Sequence, residues 1–361
     1  MSCAVDVRYV RSIDLESTLE RKDGRRILLN SVSVASDTSL VVADGGNDCV
    51  HRLDRDGKQE ATFGGCTGSG RRGLKEPVGA FALPDGRVYV MDWHNHRVVV
   101  LDSALRYVDA FGRVGRIGGE AGRHRLARYL RLAAHRGTRI TEHFGQNASG
   151  RAVSRPYDVG LMLRVVKADV SVSGGLRRFF AALRDPGTAI DKPNGAAMLG
   201  SRLVVAQKNN RCLSVYHRTP ADGLELVRHV EGPEPGTRFG RLGQVADHAG
   251  QRLFVCDSEA AAIWEFDERL ELVRRFEGLP SGAGFPRFFP FACRPIDGRL
   301  LAVCGGFNFQ IIDLDAGCVV HISDDLGELH GIDHEPESGL IYVANRSHAR
   351  ILVYELEPRM T

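Results

Sequence analysis

The chain has 361 residues, 43% apolar and 26% charged, which places it among ordinary globular proteins and excludes disordered and fibrous classes. No run of ~18 apolar residues occurs, so no membrane-spanning helix is expected. Asp6 and Arg8 fall where a signal peptide would be apolar, which predicts a cytoplasmic protein. The net charge of +3 is uneven: Arg113 to Ile190 holds 15 basic and 5 acidic residues, a local +10 on a body that carries −7.

In chain order, Val7 to Ile13 reads as a lone strand. A short β-branched strand then ends at Asp44, and a similar one ends at Asp92 after the hairpin signal Asp85-Gly86. The same grammar returns at Gln207, Asp257, Gly305 and Asn345. The spacings between these positions are 48, 115, 50, 48 and 40 residues. A period of roughly 40–50 residues signals a propeller of four-stranded blades. The long spacing is one blade plus an insertion of about 70 residues. Six units result, and radial closure buries the faces that one unit cannot bury alone. The last unit ends at Ile351 to Leu356 without a fourth strand, so the N-terminal strand is expected to complete it. The predicted organisation is therefore residues 1–113 (closing strand and two blades), 114–186 (insertion) and 187–361 (four blades).

Pro77 to Leu101, with Pro-x-Gly, Asp-Gly, Tyr-Val-x-Asp and then Asn95-His96-Arg97 before an apolar strand, resembles an NHL repeat. The glycine-rich stretch from Phe63 to Pro77 is similar to the linker of that family. Asn345 and Arg350 repeat the Asp92 and Arg97 positions, whereas Cys49, Cys212, Ala262 and Gln310 stand where the arginine would be. The resemblance implies an all-β, six-bladed NHL-like propeller, with Asp92 and Arg97 as a structural inter-strand pair.

In the insertion, Leu126, Tyr129, Leu130 and Ala133 form one apolar helical face, with Arg123, Arg125, Arg128, Arg131 and Arg136 on the other sides. A second helix is expected over 176–183, and one or two strands over 161–173. The segment is thus read as mainly helical. A rim appendage, a lid and a nucleic-acid or membrane-facing patch are its possible roles, and a degenerate seventh blade is the alternative. Nucleic acid is not favoured, because 42 arginines against 6 lysines in the whole chain makes arginine richness unspecific.

Blade topology brings the start of each innermost strand and each loop between the second and third strands to one face of the channel. The loops offer Trp93, Asn95, Lys208, Asn209, Glu259, Asn308 and Arg346 as binding groups. The strand starts offer Asn30, Lys192, Asn194, Arg238, Arg287 and Glu328. His330 at the mouth of an innermost strand is the candidate base, with Asp92, His94, Asp257 and His348 as possible assistants. His94 and His96 alternate along one segment, so they do not easily share one ion.

Peptidyl-hydroxyglycine amidating lyases resemble the chain in architecture and hold zinc with histidines at the innermost-strand mouths. Here those positions read Asn30, Val78, Asn194, Gly243, Phe291 and His330, so a three-histidine site is not available. A calcium site of Asp and Asn oxygens, as in lactonase-type propellers, stays open, and no motif requires a cofactor. Gly68 to Gly73 satisfies G-x-G-x-x-G but precedes a strand, so it lacks the helix N-terminus that would receive a pyrophosphate. The eight cysteines form no C-x-x-C pair and are expected to be mostly reduced and buried.

Two functions follow. One is a binding propeller for a protein, peptide or small anionic ligand, with the arginine-rich insertion shaping or gating its top face. The other is a lyase, hydrolase or cyclase, metal-assisted or not, with the insertion as a lid and His330 as base.

Overall fold

The computed structural model describes residues 6–19, 24–114, 140–146, 152–157, 189–219, 223–280 and 287–357. Two compact units divide the chain: Met1–Arg113 with Ile190–Thr361, and Val114–Ala189.

The first unit is a six-bladed propeller of four-stranded antiparallel sheets. The innermost strands of blades I to VI are Leu29–Val34, Pro77–Ala82, Pro193–Leu199, Leu242–His248, Ala292–Pro295 and Leu329–Glu335. Blade VI takes its outermost strand, Asp6–Asp14, from the N-terminus, paired antiparallel with Arg350–Glu357. Closure by the first strand is therefore as the unpaired last unit predicted. Ile13, Leu15 and Leu19 then pack with Leu53 and Ile351 in the core between blades VI and I.

Six apolar clusters, one between each pair of adjacent blades, make up the core of the described residues. Blades II and III meet directly through Phe81, Tyr89, Val98, Val205 and Tyr216. This is the physical basis of the short β-branched strands, since inner strands are covered on both faces. Five of the seven described cysteines are buried, Cys256, Cys293 and Cys304 of them within these clusters; Cys66 and Cys318 are exposed.

Around the axis the innermost strands come very close. A Cβ on Gly331 would lie 2.7 Å from Ser31 Cα, and one on Gly195 would lie 2.8 Å from Gln244 Cα. In blades III and VI the glycine that follows the strand mouth is thus required by packing between blades.

Within the second unit, the described strands are Ile140–Gln146 and Ala152–Tyr157, an antiparallel pair. The helices expected over 122–136 and 176–183, and Arg125, Arg128 and Arg131, lie outside the described residues. The part of the insertion that is described is β, and no α-helix occurs among the described residues of the whole chain. Among the described residues, no helix is long and apolar enough to cross a membrane.

Candidate functional site

A repeated clamp shapes one end of the propeller. The side chain that ends the second strand accepts the backbone N–H of a residue just before the innermost strand. Asp44 takes that of Leu28 (3.0 Å), Asp92 that of Lys75 (2.8 Å), Gln207 that of Asp191 (2.9 Å) and Asp257 that of Gly240 (2.7 Å). In blade II the clamp is an ion pair as well, with Arg97 Nε 2.6 Å from Asp92 Oδ2. Arg97 also donates to the carbonyls of Ser69, Gly70 and Gly73, which moors the glycine-rich linker.

These bonds engage two carboxylates that the sequence offered for chemistry. Asp92 and Asp257 are each 0% exposed and filled by structural donors, so neither faces a ligand. Burial pushes the Asp92 carboxyl up despite its donors.

A second regularity builds a cavity. At the mouths of blades I, II, III and VI the innermost strand carries a register shift, and the residue skipped is Asn30, Val78, Asn194 or His330. A bulge of this kind re-aims a side chain out of the ladder. Together with Gly243 and Phe291 these residues line one cavity of about 360 Å³. Residues two positions earlier share the same side of an extended chain, and Glu76, Arg241, Phe289 and Glu328 line it too. A third tier follows the clamp residues: Trp93, Lys208, Ser258 and Arg346. The tiers are tied by backbone bonds, Lys208 N to Lys192 O (3.0 Å), Ser258 N to Arg241 O (3.0 Å) and Arg346 N to Glu328 O (2.8 Å).

Further along the channel the space shrinks to about 20 Å³, among Ser33, Asp247, Arg294 and Asp333. That is room for about one water. Gln244 Nε2 also donates to the His330 carbonyl at 3.0 Å, tying blade IV to blade VI at the cavity wall.

The charges in the cavity are unequally satisfied. Glu76 pairs with His94 Nε2 at 2.8 Å. Glu328 accepts from His330 Nε2 (2.9 Å) and Arg346 Nη1 (3.0 Å). The bond from His330 is the main reason that the Glu328 carboxyl is held at about 2, and burial pushes the His330 imidazole below its ordinary value. The His330 ring stacks on Phe291, with centroids 4.3 Å apart. Lys208 and Arg241, by contrast, have no ion-pair partner among the described residues. Burial, and then the charges of Arg241 and Lys192, push the Lys208 ammonium down to about 8. Lys192 Nζ and Lys208 Nζ lie 3.4 Å and 4.9 Å from the centroid of the Trp93 ring, an arrangement whose attraction is cation–π.

Of the candidates read from the sequence, Asn30, Trp93, Asn194, Lys208, Glu328, His330 and Arg346 thus meet at the cavity. The others do not line it. Asn95 binds the Gly68 carbonyl, Asn209 binds Asp191, and Glu259 pairs with Arg211. His348 Nδ1 turns to Asn345 Oδ1. Asn308 belongs to a strand, 1% exposed and bonded to the Pro280 carbonyl, because a two-residue turn shortens that loop. Arg238 and Arg287 are exposed and do not line the cavity. Glu76, Arg241 and Phe289 were missed, and the two-residue periodicity before each strand mouth was the signal that pointed to them.

Residues 74–101 match the NHL repeat family model. No curated protein sequence matches the chain. Among solved structures, it is similar to the WD40 β-propeller domain of Doa1, with a TM-score of 0.51 and 10% identity over 91% of this chain and 79% of that one. It is also similar to the structure of U3-55K, with a TM-score of 0.52 and 8% identity over 94% and 77% of the two chains. At these identities the likeness concerns the fold.

Proposed function

We propose that the chain is a binding propeller whose channel mouth receives an anionic group, a carboxylate or phosphate carried by a small molecule or by an acidic peptide end. The observation that carries this reading is the pair Lys208 and Arg241. Both face a cavity of about 360 Å³ whose acids, Glu76 and Glu328, already have partners. Holding two cations together is costly, the Glu76 carboxylate offsets only part of that cost at Lys208, and an incoming anion relieves the rest. Phe289, Phe291, Val78 and Leu242 supply apolar wall for the rest of the ligand. Calorimetric titration with a panel of small carboxylates and phosphates, and with peptides ending in acidic residues, tests the reading. Binding lost in Lys208→Met and Arg241→Met supports it. Binding retained in both variants, or no binding by any anion, refutes it.

The basic segment 114–186 acts in this reading as an electrostatic attractor for the same class of ligand. Charge reversal at Arg125, Arg128 and Arg131 then slows association at low salt and has little effect at high salt. Equal association rates at low salt would remove this role.

One arrangement favours a catalytic second reading. His330, below its ordinary pKa through burial, is held by Glu328 at 2.9 Å on the cavity wall, as a base is held by an orienting carboxylate. If a bound ligand is turned over, His330→Ala abolishes turnover while leaving most of the affinity. Turnover that survives this variant excludes the role.

A further inference from the structure

Blade I departs from the clamp of blade II at one position. Asp44 stands opposite Cys49 in the strand register, where blade II has Asp92 opposite Arg97. His51 lies two residues beyond Cys49 on the same face of the sheet. Asp44, Cys49 and His51 are 1%, 4% and 3% exposed. Their ligating atoms all fall within 4.8 Å of one another, and Cys49 Sγ is 3.1 Å from His51 Nε2.

Three features distinguish this cluster from ordinary core. First, the Asp44 carboxylate has no ion-pair partner among the described residues, although it is buried where Asp92 has the Arg97 guanidinium. The three backbone N–H donors, from Leu28, Gly46 and Asn47, all go to Oδ1, and Oδ2 accepts only Asn47 Nδ2 at 2.7 Å. Asp257 also lacks an arginine, but there each carboxylate oxygen takes a backbone N–H. Second, Asn47, itself 4% exposed, keeps its Oδ1 buried without a hydrogen-bond partner. Third, His51 Nδ1 lies 2.9 Å from Thr62 Oγ1, which occupies one ring nitrogen and leaves Nε2 toward the thiol. A metal-bound histidine is held in this way by its other nitrogen.

We propose that Asp44, Cys49 and His51 form a structural site for a divalent transition-metal ion of the zinc type. The ion takes the place that the Arg97 guanidinium has in blade II. One thiolate and one carboxylate neutralise a dication, and the imidazole completes a mixed N, O and S ligand set that zinc accepts. Zinc binds sulfur as the thiolate, so binding releases the Cys49 proton to solvent.

The test uses the untagged full chain. As isolated, the protein carries about one equivalent of zinc by mass spectrometry. After removal with a chelator, cobalt(II) restores a thiolate-to-cobalt charge-transfer band and tetrahedral d–d bands. Cys49→Ser loses the charge-transfer band, and Cys66→Ser, at an exposed thiol, keeps it. If Cys49→Ser does not fold, wild-type protein decides: zinc added to metal-free chain raises the thermal midpoint and releases protons. Substoichiometric zinc on isolation, absence of the cobalt–thiolate band, or a band that persists in Cys49→Ser overturns the proposal. None of these readouts depends on anion binding at the channel.

Discussion

Asn30 Nδ2 donates to the Pro77 carbonyl at 3.0 Å, and so the mouth of blade I is fastened to the first residue of the innermost strand of blade II. Asn194 repeats the bond between blades III and IV, reaching the Leu242 carbonyl at 2.9 Å. Both asparagines are 2% exposed. Asn194→Ala leaves the Leu242 carbonyl buried without this donor. An unfolding free energy lower by about 1–3 kcal/mol is expected, and urea denaturation measures it.

Gly331 has no room for a side chain, because a Cβ there would meet Ser31 Cα at 2.7 Å and Val32 N at 2.9 Å. Gly331→Ala forces the innermost strands of blades VI and I apart and costs about 1–3 kcal/mol. Gly70→Ala serves as the control, since nothing lies within 4 Å of the added atom. A Gly331→Ala protein as stable as the Gly70→Ala protein would contradict the packing argument.

Lys208 links ligand binding and stability to pH. Its folded-state value near 8 lies below the ordinary 10.5, so between those values the unfolded chain binds more protons. Stability therefore rises as pH climbs from about 8 to 10.5 through this group. Lys208→Met removes that rise and stabilises the protein at neutral pH. Anion affinity should fall as pH passes 8 in the parent chain, and the step should be missing from the variant.

Glu328 acts at the acid end. Its folded-state value of about 2 lies below the ordinary 4.5, so its stabilising bonds are fully present above 4.5 and are lost as pH falls toward 2. Its side chain is 40% exposed, so solvent screening reduces the effect. Denaturation curves between pH 5 and 2 should be less steep in their pH dependence for Glu328→Gln (a window of about three pH units around the shift).

Ring closure is tested at the N-terminal strand. Ile13 is 5% exposed in the core between blades VI and I, whereas Val10 on the same strand is 38% exposed. Ile13→Ala should cost about 2–5 kcal/mol, and Val10→Ala no more than about 0.5 kcal/mol. Equal effects in thermal or urea unfolding would mean that this strand does not close the ring.

Local chemistry made much of the architecture readable from the sequence. Strand alternation, the Asp85-Gly86 turn and the recurrence of a polar residue at 44, 92, 207, 257 and 345 act over a few residues or at a fixed period. They sufficed for six blades, for closure by Val7 to Ile13, and for the six strand mouths that converge on the channel. The same recurrence concealed which polar groups are free. Asp92 and Asp257 look like site residues in the sequence, yet tertiary structure fills them with backbone donors. Glu76 and Glu328 are engaged by His94, His330 and Arg346, while Lys208 and Arg241 from neighbouring blades are left facing the same cavity. Blade count follows from a period that each repeat carries within itself. The charge state and availability of a side chain depend on burial and on partners from other blades, and only the closed ring supplies those.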